Sequence, residues 1–331
     1  MTSAIQVNPA HFKSITISSR APGPRVIVTG AVHGNEICGT KAIHRLLEEF
    51  DRGELTLAAG SLTLVPVTNP LAYARVQRMG DRNLNRNLAP TDAPRDFEDH
   101  VANWLCPLLA AHDVLLDLHS FQAGGTAFAM VGPVNNDDAL QPFAHAEAEE
   151  AMARHLGVRR FVDGWLNTYA AGVARRLQEA ARGAPLNPLN TDARYGVGTT
   201  EYMRAAGGYA LTLECGQHDD PAAPEVAYRA IRNTLALLGL TESPLPQPAV
   251  QIEALSIYDV VDKAHSDDAF SRAWTSFDRL FQGDVIGTRA DGTQMVAECD
   301  GFIVFPNAVA QAGNEWYYLA RLNHRFDKYA A

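Results

Sequence analysis

Short apolar runs closed by Gly, Pro or Asn recur along the first two-thirds of the chain: "RVIVTG" (25–30), "SLTLVPVTNP" (61–70), "DVLLDLH" (113–119), "TAFAMVG" (126–132) and "YALTLECG" (209–216). Runs of this length between turn residues predict buried strands. Between them the apolar period lengthens. Residues 39–50 set Ile43, Leu46, Leu47 and Phe50 at the i, i+3, i+4, i+7 spacing of one helical face, and 96–111, 138–156 and 222–239 are further helix candidates. Strands alternating with helices predict an α/β domain whose sheet is covered on both faces. Ligands of such sheets bind beyond the carboxyl ends of the strands, which singles out His33, Asn69, His119 and Glu214.

The pattern changes after "TESPLPQPAV" (241–250), where three prolines fall in five positions. Such a stretch reads as a stiff linker, so the expected domains are 1–242 and 250–331. The second segment has short β-rich runs with Gly and Asp-Gly turns. "ADGT" between two of them predicts a hairpin within a small, mainly β domain. No internal repeat of 20 to 50 residues is found.

Composition narrows the classes of partner. Of 331 residues, 47% are apolar and 20% charged, close to the averages for folded globular proteins. With 38 acidic against 28 basic residues the net charge is −10, which disfavours nucleic acid and anionic membrane as partners. An anionic small molecule would need a local group of arginines. The opening "MTSAIQVNPAHFKS" lacks a basic flank followed by an apolar stretch, and no later run is long enough to span a bilayer, so a cytoplasmic protein is expected. Cys38, Cys106, Cys215 and Cys299 never form a C-x-x-C pair and are read as reduced, mostly buried residues. Homo-oligomerisation is left open.

Several residues carry candidate chemistry. A catalytic zinc takes three protein ligands, His2Glu being one recurring set, and His33-x-x-Glu36 at a strand-to-helix turn supplies two of the required kinds. The plainer reading of the pair is an acidic residue in the first helical turn beside a polar loop histidine. "VLLDLHS" (114–120) offers a third ligand. Asp117 and His119 are two apart on a strand and share a face, as a ligand with a carboxylate partner would. His218 is its main competitor. Glu214 ends an apolar run, where a carboxylate is costly unless it faces a cavity or partner, and it is the candidate general base. "RMGDRNLNRN" (78–87) follows neither period. Its Arg78, Asn85 and Arg86 suit a grip on a carboxylate, while Arg82 and Asn87 read as solvated surface.

Taken in order, His33-x-x-Glu36, Asn69-Pro70, "NLNR" ending in Asn85-Arg86, "DLHS" with His119, and "LTLECG" with Glu214 resemble the succinylglutamate desuccinylase/aspartoacylase family of zinc carboxypeptidase-like amidohydrolases. The resemblance spans about residues 25 to 240. It implies a three-layer α/β/α domain with a mixed, mostly parallel sheet, one zinc ion held by His33, Glu36 and His119, and Glu214 activating water. Asn85 and Arg86 would hold a substrate carboxylate, and Arg78 would assist the reacting carbonyl. Arg204, ten residues before the base, inherits the grip on a second carboxylate, although the tyrosine expected four residues earlier is Thr200 here, with Tyr202 nearby. The C-terminal segment resembles the family's appended hairpin barrel, and its tip, "RADGTQ", lacks the lysine of a carrier domain. The implied activity is removal of an acyl group from a small N-acyl amino acid. A carboxypeptidase-like peptidase or peptide amidase, and a non-catalytic zinc protein that binds a carboxylate, remain the alternatives.

Overall fold

A computed structural model of the protein describes residues 8–183 and 191–329. An eleven-stranded mixed sheet runs through the molecule. From its first edge the order is β1 (Ile15–Ser18), β3 (Ser61–Val65), β2 (Arg25–Gly30), β4 (Val114–Phe121), β7 (Tyr209–Gln217), β5 (Phe128–Met130), β6 (Arg160–Asp163), β8 (Glu253–Asp262), β14 (Glu315–Leu322), β13 (Gly301–Val304) and β10 (Arg279–Leu280). The strands β3, β2, β4 and β7 are mutually parallel, while β5 runs against β7.

Alternation within these strands fills two layers. Val26, Val28, Leu116, Leu118, Leu211 and Leu213 pack under α1 (Cys38–Asp51), α4 (Ala146–His155) and α7 (Ala223–Leu237). On the other face Ile27, Leu115 and Ala210 meet α3 (Phe97–Ala110) and α6 (Thr199–Ala205). Burial on both faces explains why the central strands read as unbroken apolar runs.

Three helical stretches differ from expectation. The helix expected over 138–156 is confined to Ala146–His155, because the Asn136 and Asp138 side chains accept from the backbone N–H groups of Asp138 and Leu140, both at 2.8 Å. Such local bonds compete with helix formation. Strand β3 stops at Val65. The end of "SLTLVPVTNP" instead caps α2 (Pro70–Arg75), with Asn69 Oδ1 accepting from Ala72 N at 3.1 Å. Helix α5 (Trp165–Ala181), unassigned from sequence, lies against β8.

The proline-rich stretch separates two lengths of sequence but not two sheets. Strand β8 pairs in parallel with β6, and β14 continues the same sheet. Phe121, Phe128 and Val162 share one apolar cluster with Ile257, Val260, Val304 and Tyr318. A further cluster around Trp274, Leu280, Ile286 and Trp316 supports the small three-stranded sheet of β9 (Ala269–Phe270), β11 (Val285–Thr288) and β12 (Gln294–Val296). The last two of these form the expected antiparallel hairpin around "ADGT". No helix among the described residues is long and apolar enough to cross a membrane.

Candidate metal centre and active site

The turn after β2 builds the first half of the site. The Glu36 N–H donates to His33 O at 3.1 Å, which folds the two side chains toward one another. Glycine is required between them, since a Cβ on Gly34 would stand 2.0 Å from the Ala72 carbonyl carbon of α2. Glu36 precedes α1 and is not in its first turn, as the plainer sequence reading had it. The hydrogen-bonded turn, and not the helix, aims the carboxylate.

The second half comes from two adjacent strands. Parallel register sets His119 of β4 directly beside Glu214 of β7, so both side chains leave the same face. His33, Glu36 and His119 are each buried to within 2% of full burial and each offer one ligand atom, all within 4.8 Å of one another.

Hydrogen bonds fix which nitrogens point inward. The outer nitrogen of His33, Nε2, donates to Asn83 Oδ1 at 3.0 Å, and that oxygen also accepts from Asn85 N at 2.9 Å. Burial, reinforced by the Arg78 charge, pushes the His33 pKa down to about 4, so the ring is neutral near pH 7. With its proton on Nε2, His33 presents a bare Nδ1 that lies 2.8 Å from Glu36 Oε1 yet makes no hydrogen bond. Two acceptors at that distance repel unless a cation lies against both.

His119 completes the set. Its Nε2 donates to Asp117 Oδ2 at 2.9 Å while Nδ1 faces Glu36 Oε2 at 2.8 Å. Burial would lower the pKa of this imidazole, but the Asp117 and Glu36 carboxylates outweigh it and raise it well above its ordinary value. A metal ion held by Nδ1 would take the place of that proton. Asp117 is itself held by the Thr29 hydroxyl at 2.6 Å and by the Thr199 hydroxyl. Burial would raise the Glu36 carboxyl, yet the two histidines hold it well below the carboxylate range. Two inward imidazole nitrogens, a carboxylate and secured outer partners fit a divalent metal ion.

Glu214 is buried, and its Oε2 has no hydrogen-bond partner. Burial and the neighbouring Glu36 charge raise its pKa to about 8. A carboxyl so placed can hold or release a proton near neutral pH. Arg78 Nη1 donates to Glu36 Oε1 at 2.8 Å while the rest of its side chain stays half exposed, at the mouth of the site.

The Arg/Asn loop is shaped by a residue outside it. Buried Glu98 accepts from the backbone N–H groups of Gly80, Asp81 and Arg82 at 2.9–3.1 Å and from Asn69 Nδ2 at 2.8 Å. Asn85 Oδ1 accepts from Thr199 N at 2.9 Å. Arg86 donates to Asn85 O at 2.8 Å, and its guanidinium carbon lies 4.7 Å from the centre of the Trp165 ring. Arg82 differs from expectation: its side chain is mostly buried, paired with Asp96 and Asp99 at 2.9 Å each. Asn87 is exposed, as expected. Arg204 points elsewhere than a free anion grip would. Its Nε donates to Glu149 Oε2 at 2.9 Å and its Nη2 to Ala210 O at 2.7 Å.

Residues 22–239 match the succinylglutamate desuccinylase/aspartoacylase catalytic domain. The chain belongs to this family. It is 37% identical over 132 residues to an N-acyl-aromatic-L-amino acid amidohydrolase (carboxylate-forming) of Rattus norvegicus, covering 36% of this chain and 40% of that protein. It is 28% identical over 154 residues to the N-alpha-acetyl-L-2,4-diaminobutyric acid deacetylase of Halomonas elongata, covering 44% and 43%. These matches thus span well under half the length of the curated relatives. Among solved structures, the product-bound ectoine utilization protein EutE (DoeB) of Ruegeria pomeroyi superposes with TM-score 0.67 at 19% identity over 93% of this chain and 88% of that one. A succinylglutamate desuccinylase/aspartoacylase of Rhodobacter sphaeroides gives TM-score 0.67 at 17% identity over 97% and 99%. At such identities the likeness concerns the fold.

Two residues that shape the site had no signal of their own in the sequence: Thr199 lies in a segment without periodicity, and Glu98 looks like any acidic residue in a first helical turn. Asn83 was legible only as one of the amides of the Arg/Asn loop, without its contact to His33. His218, set aside as a ligand, follows β7 and has its Nδ1 2.9 Å from the Ser120 hydroxyl. A cavity of about 320 Å³ is lined in part by Trp165, Val131, Ile257, Asp163, Glu201 and Arg204.

Proposed function

We propose that the protein is a zinc-dependent hydrolase that removes the acyl group from a small N-acyl amino acid. The observation that carries this reading is the bare, buried Nδ1 of His33 facing Glu36 beside His119, with Glu214 unpartnered in the next strand. A zinc ion held by His33, Glu36 and His119 supplies Lewis acidity, which polarises a carbonyl and makes water acidic enough to lose a proton near neutral pH.

The chain's own residues do the rest. Arg86 and the Asn85 side chain hold the free carboxylate of the substrate, so that its amide lies over the ligand cluster. Glu214 takes the proton from the attacking water on its free Oε2 and passes it to the departing amine. Arg78, anchored on Glu36, stabilises the charge that develops on the carbonyl oxygen. In this reading residues 1–242 carry the chemistry. The segment 250–331 shapes the cleft, because β14 brings Glu315 and Tyr318 into electrostatic range of Arg86. A cytoplasmic location fits the reduced cysteines.

Glu214→Gln tests the reading. Turnover of N-acetyl and N-succinyl amino acids, followed by amine release, should fall by at least about a thousandfold. Bound zinc, measured by elemental analysis, should remain at the wild-type level. Activity within tenfold of wild type would remove Glu214 from its role. Hydrolysis of short peptides but of no N-acyl amino acid would favour a peptidase.

A further inference from the structure

We infer that the substrate carries a single carboxylate, so that acyl derivatives of amino acids with uncharged side chains and monocarboxylic acyl groups are preferred over N-acylaspartates and N-succinyl amino acids. This rests on the hydrolase reading above and concerns the substrate class of the same site.

Four arginines bear on the charge a substrate would meet: Arg78, Arg82, Arg86 and Arg204. Arg82 is consumed by Asp96, Asp99 and the carbonyls of Asn83 and Arg86. Arg78 is engaged with Glu36 at the ligand cluster.

Arg204 is closed off more completely. It is 5% exposed, and Glu149 meets it from α4 with both oxygens, at 2.9 Å on Nε and 3.2 Å on Nη2. Its remaining donors face Ala210 O at 2.7 Å and Glu201 at 3.5 Å. Glu149, fully buried, also accepts from the backbone N–H groups of Gly132 and Ala210. Even the backbone is fitted to the pair, since a Cβ on Gly132 would stand 2.4 Å from Arg204 Nε. A substrate carboxylate could reach this guanidinium only by displacing Glu149, which would leave a buried charge without its partner.

Arg86 alone of the four has no carboxylate within ion-pair distance among the described residues. The acidic group that acts on it most is Glu315, outside ion-pair distance, and its Nη1 donates to the Asn85 carbonyl. One available guanidinium anchors one carboxylate.

The cavity lined by Trp165, whose ring lies under the Arg86 guanidinium, discourages a second. Asp163 and Glu201 line it, and the cation in its lining, Arg204, is taken by Glu149 at 2.9 Å. The remaining wall includes Val131, Pro133 and Ile257, which suits an uncharged side chain. A dicarboxylate placed there would meet acidic neighbours without a free counter-charge.

The test uses the zinc-loaded full chain and matched pairs: N-acetyl-L-leucine against N-acetyl-L-aspartate, and N-acetyl- against N-succinyl-L-leucine. The expected kcat/KM favours the monocarboxylate of each pair by at least tenfold. Equal or better turnover of either dicarboxylate overturns the inference while leaving the hydrolase reading intact. If none is turned over, that reading fails, and calorimetric binding to the Glu214→Gln chain still decides this one. Tighter binding of N-acetylleucine supports it; equal or tighter binding of N-acetylaspartate, or binding of neither, overturns it. In a second arm, Glu149→Gln weakens the hold on Arg204 and should raise the relative kcat/KM for N-acetylaspartate by about tenfold. An unchanged ratio in a folded variant would show that Arg204 is not what sets the preference, and an unfolded variant leaves the decision with the matched pairs.

Discussion

At the scale of single residues, the site depends on partners that hold its ligands by their outer nitrogens. Asn83 is the clearest case, because its one side-chain oxygen accepts from both His33 Nε2 and the Asn85 backbone. If the proposed zinc site holds, Asn83→Ala should lower zinc affinity by about 10- to 100-fold, read by competition with a chelating dye, with little change in the melting temperature. Unaltered affinity would mean that the loop does not orient the ligand. His33, Glu36 and His119, which come together where they could hold a metal ion, and the buried Glu214 beside them were legible because each follows or ends an apolar run. Asn83 was not, since nothing in an irregular loop says which of its amides turns inward.

Among elements, the same division between local pattern and distant partner recurs. Helix α1 declares itself through a clean 3.6-residue apolar stripe, whereas α5 presents "WLNTYAAGVARRLQEAA", whose small apolar residues acquire meaning only against β8. Asp268, between β8 and β9, shows how a single carboxylate joins elements. It accepts from the N–H groups of Ala264, His265 and Ala290 and pairs with Arg289 at 2.7 Å. Burial would raise its pKa, but Arg289 and these N–H groups bring it down to about 2. A carboxyl lowered on folding stabilises the fold above its unfolded pKa of about 4 and loses that contribution as pH falls toward its folded value. Asp268→Asn should cost roughly 2 kcal/mol at pH 7, and the cost should shrink as pH is lowered from about 4 to 2. Urea midpoints of the two chains across that range provide the check, and a gap that stayed constant would contradict it.

For the whole molecule, the continuous sheet has a direct consequence. Removing everything after residue 242 would leave β6 as an unpaired edge and strip the cover from Phe128 and Val162. Exposed edges with apolar faces aggregate, so a chain ending at 242 should be recovered mostly as insoluble material, while the full chain unfolds with coincident fluorescence and circular dichroism transitions. A soluble, folded truncation would show that the C-terminal strands are dispensable to the core.

Local spacing alone carried the periodicity of most elements and the fold class, and it marked the strand ends where His119 and Glu214 stand. These are written in spacings of two to four residues, which act through backbone geometry alone. The tertiary structure decided which charged groups remain available. Arg86 and Arg204 are both arginines near the cleft, but Glu149, fifty-five positions before Arg204, closes one and leaves the other open. Ion pairing acts across space, so which arginine is free could be settled only once distant segments were brought together.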